Sequence, residues 1–316
     1  MRSQQEAIET IDGVGIPKRK KRTIIIMVIV MMLGVYSGFA IGNFIISQRT
    51  DPNRYNFDVA ALMDDVSAIR LTAAGKTPQV LGATKSCVLA FDNTFNAEKV
   101  QVTGDGLVNA SVGPVKVAQT IDARTIKVGD RLFNENISIS SFVKATNRYY
   151  VDGEEISHYG GSYDEGAKTV KWNTTADTPE DIKTMTLYTE KYGVPMNYYM
   201  TYIVSSKTVV EASAVTVNED GNYVFTLTLD KVKSVINYVK SMKDTGGLSD
   251  YPDFVENPVI ELTIDSNYRI LKFVSQEVYT AKMGIITASL TGALTNTFAY
   301  DEDFVIPELS ENSVID

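Results

Sequence analysis

Hydrophobic and polar positions divide the chain into stretches of different period. Thr23–Ile46 (TIIIMVIVMMLGVYSGFAIGNFII) is apolar without alternation and carries no charge. As a helix it would be roughly 36 Å long, enough to cross a ~30 Å hydrocarbon core with some tilt, and only a helix hides its backbone polar groups there. From Tyr55 to Ala74, Val59, Leu62, Met63, Val66 and Ile69 recur at helical spacing, which predicts an amphipathic helix stopped near Gly75 and Pro78 and capping the domain that follows.

Beyond this helix the chain reads as short β runs separated by turn signals. Ser86–Phe91, Lys99–Thr103, Pro114–Ile121, Thr125–Val128 and Arg131–Asn134 are predicted strands, with turns at Gly104-Asp105-Gly106, Gly113-Pro114 and Gly129-Asp130. Asn136–Val143, Tyr149–Val151, Ile156–Tyr159 and Lys168–Trp172 follow, with turns at Asp152-Gly153 and Gly160-Gly161. Thr178-Pro179-Glu180-Asp181 has the chemistry of a helix start, and that helix is expected to reach about Tyr192. Strands are then predicted at Thr208–Val217 and Asn222–Leu229. A helix capped by Asp230 runs to about Lys243, and Val259–Ile264, Arg269–Thr280 and Gly284–Tyr300 close the domain. The tail Ser310–Asp316 is expected to fray.

Strand alternation gives the strongest statement about the fold. Tyr223, Phe225, Leu227 and Leu229 share one face, with Val224, Thr226 and Thr228 on the other. Ile260, Leu262 and Ile264 alternate in the same way with Val259, Glu261 and Thr263. One side of the sheet is apolar, and a few helices are available to cover it. The expected class is α+β: an N-terminal transmembrane helix, then a curved antiparallel sheet (a half-barrel) with helices on its concave face. The predicted organisation is a basic tail over 1–22, the membrane helix over 23–46, a linker over 47–54, the β-rich domain over 55–308 and a flexible tail over 309–316.

Charge sharpens the topology. Lys18, Arg19, Lys20, Lys21 and Arg22 immediately precede the apolar stretch, so the positive-inside rule places the N-terminus in the cytoplasm and the large domain outside the cell membrane. The competing reading is a signal peptide cut after Gly38-Phe39-Ala40. The apolar run continues past that site to Ile46, so an uncleaved single-pass anchor is the expectation. Residues 47–316 hold 24 Lys/Arg against 36 Asp/Glu, a net charge of −12, which argues against nucleic acid as a partner. Gly34, Gly38 and Gly42 repeat every four residues on one helix face, spacing that lets a second membrane helix, or a second copy, pack closely.

The segment from Asn222 to Ile306 (NYVFTLTL, DKVKSVINYVKSMKD, VIELTID, YRILKFVSQEVYTAK, IITASLTGALTNTFAY, then FVIPEL) resembles the LolA/LppX-like fold family, including its LprG-type relatives. The resemblance loosely covers 55–308. It implies an extracytoplasmic half-barrel whose cavity, between sheet and helices, holds acyl chains. Members of that family are usually soluble or lipid-anchored, whereas this chain has a membrane segment, so the resemblance implies a tethered lipid-handling or envelope-sensing domain rather than a free shuttle.

Chemical motifs are weak by comparison. The single Cys87 and single His158 exclude an intrachain disulfide and a Cys/His metal cluster. Asp244-Thr245-Gly246 follows a helix rather than lying between apolar strands, and reads as a helix-end turn. Ser141-Phe142-Val143-Lys144 lies in a predicted strand and lacks the partner motifs of a Ser/Lys hydrolase. Asp92, Asn96 and Glu98, and likewise Asp301-Glu302-Asp303, lack calcium-loop spacing. No cofactor and no enzymatic activity are expected. Met196, Tyr198, Tyr199, Met200, Tyr202 and Ile203 form the most suggestive cluster, since Met adapts to irregular apolar ligands and Tyr pairs an apolar body with a polar tip. The candidate lipid-lining set is therefore Met196, Tyr199, Met200, Tyr202, Tyr223, Phe225, Leu227, Leu229, Ile260, Leu262 and Ile264. The expected ligand is a lipid or lipid-linked glycan. The alternative is a structural or signalling partner in an envelope complex, with the sheet's interior filled by its own side chains.

Overall fold

A computed structural model describes residues 10–11, 14–15, 54–55, 57–141, 144–192, 195–196, 202–246, 248–283 and 286–315. The expected membrane helix Thr23–Ile46, with Gly34, Gly38 and Gly42, and the basic stretch Lys18–Arg22 lie outside the described residues. Among the described residues no helix is long and apolar enough to cross a membrane.

The dominant feature is one antiparallel sheet of fourteen strands. In chain order these are β1 Lys99–Val112, β2 Val115–Val128, β3 Arg131–Ser140, β4 Lys144–Asp152, β5 Glu155–Asp164, β6 Thr169–Trp172, β7 Val209–Ala212, β8 Thr216–Val217, β9 Tyr223–Leu229, β10 Asp253–Phe254, β11 Val259–Ile264, β12 Ile270–Met283, β13 Ile286–Tyr300 and β14 Ser313–Val314. Spatial order is 8-9-11-12-13-1-2-3-4-5-6-14, with β7 pairing on β9 and β10 on β12. The sheet is open, because β8 and β14 stand at opposite ends of this order. The last long strand, β13, pairs along twelve positions with β1 and so joins the two halves of the sequence.

Among the described residues six helices accompany the sheet: α1 Val59–Leu62, α2 Val66–Ala73, α3 Pro78–Leu81, α4 Ala83–Phe95, α5 Met185–Tyr192 and α6 Ile236–Gly246. All but α5 lie on one face of its first half. The predicted alternation holds at the sheet. Phe225, Leu227, Leu229, Ile260, Leu262 and Ile264 are all 0–2% exposed. They form one core with Cys87, Leu89, Ala90 and Phe91 of α4 and with Val235, Ile236 and Val239 at α6. The Asp230 carboxylate accepts from the backbone N–H of Val232 (2.9 Å) and Lys233 (2.8 Å), the predicted start signal for the segment leading into α6.

Several expected elements change type. Ser86–Phe91, expected as a strand, lies inside α4. All six residues are buried, so the stretch shows the continuous apolar run that periodicity cannot assign to strand or helix. Gly104-Asp105-Gly106 and Gly160-Gly161, expected as turns, lie within β1 and β5. There glycine serves close packing: a Cβ on Gly161 would come within 2.6 Å of Val170 Cγ1, and one on Gly106 within 3.1 Å of the Ala293 carbonyl. The single helix expected over 55–74 is two: the first ends at Leu62 with Met63 extended, and Asp65 caps the second by accepting from Ala68 N at 3.1 Å. Thr178 caps no helix. Its hydroxyl accepts from His158 N at 2.8 Å, and a short 3-10 turn, Glu180–Ile182, precedes α5.

The second half of the sheet is covered on both faces. Leu132, Val151 and Ile156 pack under Met185 and Tyr188 of α5. On the opposite face Ile137, Val170 and Trp172 meet Leu309 and Ile315. The C-terminal tail, expected to fray, therefore docks, and Ser313–Val314 adds an edge strand to β6.

Candidate functional site

The alternation of β12 turns Phe273, Ser275, Glu277, Tyr279 and Ala281 toward the helices. Glu277, half-buried, is thus a carboxyl group set among Phe273, Ser275, Tyr279 and Ala281. Tyr202 donates to its Oε2 at 2.6 Å and Tyr238 of α6 donates to its Oε1 at 3.0 Å. Backbone pairing holds the Tyr202 segment in place: Ile203 N donates to Ser234 O at 2.7 Å. The rings of Tyr202 and Tyr238 meet edge to face at 5.9 Å. The contacts continue through Phe254 to Tyr279, stacked on it at 5.3 Å.

Space for the carboxyl comes from the neighbouring strand. Gly292 lies directly across from Glu277, and a Cβ there would sit 3.0 Å from Glu277 Cγ and Oε1. Desolvation pushes the Glu277 carboxyl above the usual carboxylate range, partly offset by the two tyrosine hydroxyls. Burial, then the charge of Glu277, pushes the Tyr202 phenol well up. The arrangement is two phenol donors gripping a carboxyl group whose pKa burial raises. It can accept a further hydrogen bond from a neutral polar group, and it disfavours a second anion.

The candidate lining residues part company. Tyr202 reaches Glu277, whereas Met196 lies in the separate cluster under α5, its N–H pointing at Met185 Sδ at 3.4 Å. Tyr199 and Met200 lie outside the described residues. Tyr223 is partly buried at the edge of the main core, and Phe225, Leu227, Leu229, Ile260, Leu262 and Ile264 are packed within it. None of these residues lines the three cavities described next. One, of 290 Å³, is bordered by Leu107, Val259 and Gln276 and also by Glu277 and Gly292. A second, of 620 Å³, runs between the sheet and the C-terminal tail, beside Asp105, Asp122, Arg124 and Glu311. A third, of 380 Å³, lies by Arg70, Asn96 and Arg269. Sequence reading missed Glu277 and Tyr238. The signal available was an acid at an inward position of an apolar strand, legible only once the register of β12 is known.

Other motifs resolve into ordinary structure. His158 Nδ1 lies 2.6 Å from Asp177 Oδ1 and Nε2 3.0 Å from Asn147 Oδ1, with the ring against Tyr149. Cys87 is fully buried, and burial raises its thiol pKa. Asp244 falls in the last turn of α6, and Lys144 opens β4 in an ion pair with Glu165 at 2.8 Å. Asp92 pairs with Arg70, Asp301 with Arg269 and Asp303 with Lys99.

No protein-family model matches the chain, and no curated protein matches it in sequence. Among solved structures it is similar to lipovitellin, described for its lipid–protein interactions, at 9% identity and a TM-score of 0.31, over 67% of this chain and 26% of that one. The chain thus spans about a quarter of lipovitellin's length. A DUF1329 family protein from Desulfovibrio piger is similar at 8% identity and a TM-score of 0.25, over 70% of this chain and 95% of that one. MucB in complex with MucA(peri) is similar at 7% identity and a TM-score of 0.11, over 69% and 94%.

Proposed function

We propose that the chain is a non-enzymatic, membrane-tethered domain that takes up a lipid or lipid-linked molecule between the helix layer and the sheet. The observation that carries this reading is the carboxyl group of Glu277, gripped by Tyr202 and Tyr238 within a largely apolar face. A core that only packs gains nothing from a desolvated carboxyl, whose burial costs free energy even when hydrogen-bonded. A site for an amphipathic ligand needs broad apolar walls and a few convergent polar groups, which this face supplies. Uptake requires the roof, made of α1–α4 and α6, to part from the sheet, to which apolar packing and hydrogen bonds such as Tyr268 OH to Lys76 O join it. The acid favours neutral polar heads over anionic ones. The basic stretch Lys18–Arg22 and the uncharged span Thr23–Ile46 support a single-pass anchor with the domain on the extracytoplasmic side. The resemblance of Asn222–Ile306 to LolA/LppX-like domains agrees with this reading.

The test is photo-crosslinking of the full-length protein in vesicles with a diazirine-bearing phospholipid. Adducts on peptides from Tyr223–Leu229 or Val232–Met242 are expected, and Glu277→Leu should change their yield. Adducts confined to 23–46 would sink the reading. A second reading, a partner-docking domain with a filled interior, is favoured by the 0–2% exposure of Phe225, Leu227 and Ile260. That second outcome would leave it standing.

A further inference from the structure

We propose that the outward face of α2, α3 and the start of α4 rests on the membrane surface, as a peripheral contact beside the anchor. The proposal rests on reading Thr23–Ile46 as that anchor. Leu71 and Val80 are 82% and 70% exposed, among the most exposed large apolar side chains described. Each lies on the exposed side of a helix whose buried residues are Ile69 and Ala73 on α2, and Pro78 and Leu81 on α3. An exposed Leu and Val on helices that both pack on α4 leave apolar surface free to meet an apolar environment.

Charge favours a lipid surface as the occupant. From Val66 to Phe91 the sequence holds no Asp or Glu, although residues 47–316 carry a net charge of −12. Lys76, between the apolar pair in sequence, and Lys85, five residues after Val80, are both exposed, while Arg70 is held by Asp92. Lysines beside apolar side chains match a surface of anionic headgroups over acyl chains. Chain geometry agrees. Arg54 pairs with Asp253 at 2.5 Å and Tyr55 OH donates to Pro252 O at 3.0 Å, so the chain is already fixed to the domain eight residues after Ile46. An extended chain of that length reaches at most about 29 Å. The helices that follow immediately in sequence are therefore tethered close to the bilayer.

The test uses full-length protein reconstituted in phosphatidylcholine vesicles containing one third phosphatidylglycerol. A polarity-sensitive fluorophore is attached at Leu71→Cys, Val80→Cys, Val305→Cys or Ser47→Cys; the native Cys87 is buried and does not react in the folded protein. Val305 is 76% exposed on the tail crossing the opposite face. Probes at 71 and 80 should shift to the blue and be quenched by nitroxide-labelled lipid several-fold more than the probe at 305. Lys76→Glu with Lys85→Glu should weaken that quenching. Probes at 71 and 80 as unquenched as that at 305, with the probe at 47 quenched, would overturn the proposal while leaving the anchor intact. A probe at 47 that is not quenched would overturn the anchor and this proposal together. Either pattern leaves uptake of lipid by the interior to its own cross-linking test.

Discussion

Arg148 donates twice to one oxygen of Glu135, from Nε at 2.8 Å and from Nη2 at 2.6 Å, across neighbouring strands β4 and β3. Arg148 is 2% exposed, lies 4.3 Å over the Trp172 ring, and its remaining donors go to the Glu311 carbonyl and the Ser313 hydroxyl. Ser313 also donates to Glu135 and accepts from Trp172 Nε1 at 3.0 Å. One buried ion pair thereby ties the last residues of the chain to the far half of the sheet.

Removing either end of this network should act differently. Arg148→Ala leaves Glu135 buried without its partner and should cost about 3–5 kcal/mol in urea unfolding. Ser313→Ala should cost about 1–3 kcal/mol and raise amide hydrogen exchange in 309–315 well before β3 and β4 respond. Equal exchange across the tail and these strands would show that the tail is no separate unit.

Glu277 predicts a pH dependence with a definite sign. Its folded-state pKa is raised, so the folded protein holds a proton that the unfolded chain releases. Its contribution to stability is full below the unfolded value, about 4.3, and falls as pH rises through the higher folded value. Glu277→Gln removes this loss. The variant's melting temperature should gain on wild type between pH 4 and pH 8, measured by calorimetry; a constant difference across that range would refute the assignment.

Gly161 and Gly160 should separate cleanly on substitution. Gly161→Ala forces a Cβ to within 2.6 Å of Val170 Cγ1 and 2.9 Å of Trp172, whereas Gly160→Ala meets its nearest neighbour at 3.5 Å. Denaturant titration should show Gly161→Ala destabilised by about 1–3 kcal/mol and Gly160→Ala close to wild type.

The N-terminal segment carries its own expectations. Protease added to intact cells or spheroplasts should digest the large domain and spare an N-terminal tag; a protected domain would reverse the orientation. Gly38→Ile should weaken self-association in a membrane two-helix reporter, because a branched side chain separates helices packed at Gly34, Gly38 and Gly42.

Local chemistry alone determined much of the sheet's anatomy. Strict alternation in Tyr223–Leu229 and Val259–Ile264 named the buried face, since period two leaves only two ways to orient a strand. The Asp152-Gly153 and Gly129-Asp130 turns were legible because their residues fit few other conformations. Tertiary structure decided the rest. Ser86–Phe91 became helix because its buried run fits either element, and the surrounding contacts choose. Gly104 and Gly161 sit in strand interiors because distant side chains crowd them, which no local signal reveals. Met196 and Tyr202, six positions apart in sequence, joined different clusters. Glu277 met Tyr202 and Tyr238 across 75 and 39 residues, a convergence set by strand register and helix placement. Alternation could mark Glu277 as inward-facing only once that register was known, because a one-residue slip would have turned it to the other face.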